Sequence, residues 1–143
     1  MSNSQSPAWV TASVLIARII LIGMFAMAVA FKLMSPSGTA GFIASAGFPA
    51  PMLLAWLAII FELALVASLI TGLWYSETTL LGAVYVVFLA FAFHGPSHWT
   101  DDKGLEFGAF MSHFPFAAAM LYAAAYGAGD FAFKSNSLLR RTN

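Results

Sequence analysis

The sequence predicts an all-α membrane protein: a bundle of four transmembrane helices with a short interfacial helix between the first and second spans. Three observations predict it. Of 143 residues, 61% are hydrophobic and only 8% are charged, where a soluble domain carries about 25% charged residues. The apolar residues fall into blocks of about 20, the length that crosses hydrocarbon at ~1.5 Å rise per residue. Helix-stopping clusters separate the blocks, at Ser35-Pro36-Ser37, Ser76-Glu77-Thr78 and Gly95-Pro96.

Charge and cysteine content exclude several functions. Six basic and six acidic residues cancel. There is no basic patch for nucleic acid and no polybasic run for a lipid headgroup. With no cysteine, the chain has no disulfide, no thiolate metal site and no cysteine-ligated iron–sulfur cluster of its own. The dithiol route by which some small four-helix membrane proteins pass electrons to quinone is excluded too. The expected partners are the lipid bilayer and other membrane-protein subunits.

Taken in order, Met1 to Ala8 is short and polar, and the first span follows at about residues 9–33. A secretory signal carries a basic start, whereas here Arg18 interrupts the apolar stretch, so the span is expected to be retained. Gly38 to Gly47 is apolar but too short to cross, which predicts a helix at the membrane surface. Pro49 and Pro51 lead into the second span, 51–74, whose exit carries Trp74 and Tyr75 at interface depth. A tight turn at Ser76–Thr78 and a third span over 79–93 follow. A polar loop from His98 to Glu106, a fourth span over 107–126 and a tail over 127–143 complete one domain. The loop group His98, Asp101, Asp102, Lys103 and Glu106 reads as a solvated turn.

Four spans bring both termini to one side. Lys134, Arg140 and Arg141 in the tail place that side in the cytoplasm, against Lys32 and Lys103 opposite. The expected location is therefore a bacterial inner membrane with both ends cytoplasmic.

The polar residues within the spans are few. Glu62 is the one charge in the second span, and a carboxylate at the bilayer centre costs ~2.5–3.5 kcal/mol. With both helices centred in the membrane, Arg18 lies ~5 Å from the Glu62 level, so an Arg18–Glu62 ion pair is expected. It reads either as a clamp between helices or as a carboxylate serving a ligand or proton path. Arg18, Phe25 and Lys32 recur every seven residues and form one stripe; Ala55, Ala58 and Val66 share the Glu62 face. His94 closes span three at the depth of Lys32, and His113 lies about two turns into span four. Lys32, His94 and His113 are thus the expected lining of a pocket. Two imidazoles on different helices can ligate a haem or metal, or hydrogen-bond a quinone carbonyl, or be satisfied by water and backbone. The spacing assigns no metal centre to the chain itself. In span four, Ala119, Ala123 and Gly127 suggest a close-packing face, and Pro115 predicts a kink with Ser112 or a neighbour answering the freed carbonyl.

Arg18, Phe31-Lys32-Leu33, Gly47-Phe48-Pro49, Glu62 followed by Gly72, His94 and Gly127-Ala128-Gly129-Asp130 together resemble the DoxX family, in order, over about residues 12 to 133. The resemblance implies a small four-helix membrane protein related to the membrane subunit of thiosulfate:quinone oxidoreductase, in or beside a membrane redox assembly. Two positions depart from the pattern. Ala28-Val29-Ala30 stands where many members carry a glycine, and Ser112-His113 where they often carry Lys-Asn.

Two functions follow as expectations. One is a subunit of a membrane redox complex with a quinone-type pocket at Lys32, His94 and His113 on the non-cytoplasmic side. With no carrier in the chain, quinone or haem would come as a bound ligand or with a partner. The other is a non-catalytic subunit that packs against a larger respiratory or photosynthetic complex.

Overall fold

Helix-breaking residues set the element boundaries. The computed structural model describes residues 6–99, 103–129, 132–133 and 138–139. Helix α1 spans Ala8–Met34, α2 Pro36–Ser45, α3 Pro51–Thr71, α4 Tyr75–His94 and α5 Lys103–Tyr126, with a 3-10 turn at Pro96–His98. Four of these, all but α2, are long and apolar enough to cross a membrane. The expected tail cations Lys134, Arg140 and Arg141 and the loop acids Asp101 and Asp102 lie outside the described residues, as does Asp130.

Helix α2 begins where Pro36 takes its first turn and the Ser35 hydroxyl accepts the Gly38 N–H at 3.2 Å. It buries Ala40 and Ile43 against Ala55 of α3, with Phe48, Leu54 and Phe93 packed around them. This is the interfacial helix between the first two spans.

Two boundaries differ from expectation. Helix α4 begins at Tyr75, not at 79, because the reversal is complete by then: Gly72 and Trp74 have φ of 78° and 46°. The Thr78 and Thr79 hydroxyls then donate back to the carbonyls of Trp74 and Tyr75, at 2.7 and 2.6 Å, so the supposed turn is the first turn of the helix. Helix α5 likewise begins at Lys103, inside the expected polar loop.

The bundle is not closed. Helix α1 packs on α3, α3 on α4, and α4 most closely on α5. Gly82 allows that closeness: a Cβ there would stand 2.1 Å from Met120 Cε and 3.2 Å from Leu65. Helices α1 and α5 stand apart across an apolar groove of about 440 Å³. The Ala119, Ala123 and Gly127 stripe, expected to pack tightly, lines this groove instead, because Ala117 and Met120 make the buried contact of α5. Helix α5 runs unbroken through Pro115, and the Ser112 hydroxyl donates to Ala109 O at 2.7 Å, not to the carbonyl of Met111 that a proline at 115 frees. The outer faces carry Ile16, Ile19, Met27, Leu53, Ile60 and Val84, all exposed, as a lipid-facing surface requires.

Gly72→Ala is expected to destabilise the fold by about 2 kcal/mol or more, since an L-residue is strained at this φ and its methyl would lie 2.5 Å from Ala132 Cβ. Gly23→Ala, in mid-helix with open space around it, should be neutral or slightly stabilising. Equilibrium unfolding of both variants in mixed micelles measures the difference.

Candidate functional site

Arg18 is 4% exposed, and its guanidinium donates to backbone carbonyls. Its Nε and Nη2 donate to Leu69 O at 3.1 and 2.7 Å, Nη2 also to Ile70 O at 3.1 Å, and Nη1 to Ala128 O at 2.8 Å. The last four carbonyls of a helix have no partner within it. For α3, Gly72 N–H takes Ser68 O, Arg18 takes Leu69 and Ile70, and Phe133 N–H takes Thr71 O at 2.9 Å. All four are satisfied. A cation at this end also meets the negative pole of the helix, and the guanidinium carbon lies 5.5 Å from the centre of the Tyr75 ring.

The expected Arg18–Glu62 pair therefore does not form. The cation on Glu62 is Lys32, whose Nζ lies 3.0 Å from Oε2. Lys32 lies four turns, about 21 Å, along α1 from Arg18 on the same stripe. Centring both helices in the membrane put the wrong member of that stripe opposite Glu62. The second carboxylate oxygen, Oε1, accepts the Tyr85 hydroxyl at 2.8 Å. Glu62 is 1% exposed, so both of its oxygens are matched by donors from α1 and α4. Tyr85 was not singled out from the sequence. The signal was there: a lone tyrosine in the middle of span three carries a hydroxyl that needs a partner in hydrocarbon.

Above this triad, the structure brings Lys32, His94 and His113 around one cavity of about 360 Å³, with Thr39, Tyr85 and Phe93 among its other walls. The two imidazole rings are 5.3 Å apart, centre to centre. His113 Nδ1 lies 2.7 Å from Ala109 O, and a carbonyl only accepts, so Nδ1 carries the proton. His94 Nδ1 lies 2.8 Å from Glu106 Oε2. Glu106, expected in a solvated loop, sits instead in the first turns of α5 and orients this ring. Nε2 of each histidine has no partner among the described residues. Phe42 stacks on Phe93 at 5.1 Å and 18°, a flat apolar wall beside His94. His98 lies in the 3-10 turn beyond, its Nδ1 3.2 Å from Ser97 Oγ. No cluster of three or more metal-ligating side chains occurs among the described residues.

The family model for DoxX matches residues 13–95, the stretch that holds Arg18, Lys32, Glu62, Tyr85 and His94. The chain belongs to the DoxX family. No curated protein and no solved structure matches it. As a DoxX member with four apolar helices, it is an integral membrane protein. Glu106 and His113 lie beyond the matched stretch.

Two stability outcomes follow from the buried charges. Arg18→Met, which strips donors from three carbonyls, should cost ~3 kcal/mol or more, and Arg18→Lys should recover only part, since one ammonium cannot span them. Lys32→Met alone should cost ~3–5 kcal/mol by leaving Glu62 without its cation, and Lys32→Met with Glu62→Leu should cost less than that single change. Unfolding free energies of the single and double variants, compared as a cycle, check both.

Proposed function

We propose that this DoxX protein is the membrane subunit of a redox complex and binds a quinone-type headgroup between Lys32, His94 and His113. The observation that carries the reading is the convergence of these three side chains on one cavity of about 360 Å³, inside an otherwise apolar bundle. Its volume is in the range of small-ligand pockets, ~300–1,000 Å³, and its few polar groups stand among aromatic walls, as such pockets require. The donor set fits a flat ring with carbonyl oxygens. Lys32 has three N–H groups, one spent on Glu62. His94, held by Glu106, donates through Nε2 when protonated; His113 in its Nδ1–H form presents an acceptor. Between them the residues can bind both the oxidised and the reduced headgroup and hand over protons. A quinone, when bound, supplies the electron-accepting chemistry, and a partner subunit must supply the electrons.

A haem does not fit the same residues. Ligation by both histidines would put the macrocycle between rings 5.3 Å apart on α4 and α5, the most closely packed helix pair. The tail cations Lys134, Arg140 and Arg141 favour cytoplasmic termini in a bacterial inner membrane, so the cavity opens toward the opposite side. The second reading, a structural subunit of a larger respiratory or photosynthetic complex, is favoured by one feature: the open groove between α1 and α5 with its stripe of small residues.

The test is titration of a short benzoquinone into the full chain in lipid nanodiscs, with quinone extraction from the natively purified protein. Saturable binding is expected, weakened about tenfold in His113→Ala, the loss of one hydrogen bond to the ligand. A folded wild-type chain that neither carries nor binds quinone would sink the proposal.

A further inference from the structure

The cavity at Lys32, His94 and His113 shares a wall with a second space. Five of its lining residues, Ile43, Ala58, Tyr85, Leu89 and Phe93, also line a second cavity of about 330 Å³. The remaining walls of that arm are Phe48, Leu54, Leu57, Phe61 and Phe88. All are apolar. The one polar group in the arm, the Tyr85 hydroxyl, is committed to Glu62. A row of ring contacts runs along both spaces: Phe42 to Phe93 at 5.1 Å, Phe93 to Phe48 at 5.7 Å, and Phe48 to Phe88 at 6.0 Å. The arm lies between α3 and α4 beneath the end of α2, and Leu57 and Phe88, each about half exposed, stand at its mouth on the lipid-facing surface.

We propose that the arm holds the proximal part of an isoprenoid or alkyl chain attached to the headgroup, so that the site takes a tailed, membrane-dissolved ligand that enters sideways from the bilayer. This rests on the headgroup reading above and goes beyond it by naming the second half of the ligand. The physical case is continuity of chemistry. A ring held at Lys32, His94 and His113 meets the few polar groups of its cavity, and a chain leaving it needs an apolar path. The arm is the apolar space that shares walls with the headgroup cavity, and it runs to the lipid. Moving a chain from lipid into the arm gains no hydrophobic energy, because lipid tails are already apolar. The arm instead gives packing against aromatic faces and a direction of approach, which is selectivity for one chain on a flat head.

The experiment uses the full chain in nanodiscs and a benzoquinone carrying a diazirine on its alkyl chain. After photolysis, label is expected on Leu57, Phe61 or Phe88, removed by excess of the same quinone without the diazirine. Leu57→Trp, which fills the mouth of the arm, should abolish that label while leaving binding of a chain-free benzoquinone as in the wild type. Label scattered over α1 or the outer faces, with chain-free benzoquinone still bound, would overturn the arm and leave the headgroup site standing. Removal of the label by phosphatidylglycerol as effectively as by quinone would overturn it as well, since the arm would then be a general lipid groove. Failure of the wild type to bind either quinone would overturn both proposals.

Discussion

A carboxylate in hydrocarbon has to be answered by donors, and in this bundle the answer to Glu62 fixes three helices at once. Lys32 comes from α1, Glu62 from α3 and Tyr85 from α4, with each carboxylate oxygen taken by a different helix. Helix association in lipid lacks a hydrophobic drive, so directed polar contacts of this kind determine register. Slide α1 by one turn and Lys32 leaves the carboxylate; rotate α4 and the Tyr85 hydroxyl goes unsatisfied. The same triad places the Lys32 ammonium at the edge of the His94–His113 cavity. The position of that cavity follows from where the charge had to be neutralised.

The other end of α1 solves a different problem with a similar residue. Arg18 donates to backbone carbonyls. It takes up carbonyls that the end of α3 leaves without partners and ties the 127–129 turn to them through Ala128 O. Gly72 and the N–H of Phe133 complete the set. The two cations of one stripe therefore divide the labour. The forked, planar guanidinium suits several carbonyls, and the compact ammonium suits one carboxylate oxygen.

Most of the fold was legible because composition and helix stops in a membrane chain leave little choice: backbone groups must be satisfied within helices. The stripe Arg18–Phe25–Lys32 was legible for the same reason, as a matter of helical period. The partner of Glu62 was not. Choosing between Arg18 and Lys32 needs the relative height of α1 and α3, and that height is set by where Gly72, Trp74 and the residues around Pro36 turn the chain. The start of α4 was missed because Ser76, Glu77 and Thr78 read as a turn in isolation; the Thr78 and Thr79 hydroxyls and the left-handed Trp74 make this a first helical turn. The convergence of Lys32, His94 and His113 on one cavity could be anticipated from depth alone, whereas the roles of Tyr85 and Glu106 depend on side-chain reach across helices. Ala119, Ala123 and Gly127 show the weak side of pattern reading: small residues permit close packing, but they do not require it.

The helices divide the work of the proposed site. The stretch matched by the DoxX family model contains the triad and His94, and it stops at residue 95. Helix α5, which supplies His113 and the Glu106 that orients His94, lies outside it. In the proposed pocket, α1, α3 and α4 then provide a polar frame whose position is forced by the energetics of Glu62. Helix α5 provides a group that can change without disturbing that frame, since among the described residues His113 bonds within its own helix, to Ala109 O. On that proposal, substituting His113 would alter what the cavity recognises and leave the charge balance of the bundle intact, whereas substituting Lys32 would alter both. In the proposed site, His113 therefore stands where ligand choice is separable from the charge balance of the bundle.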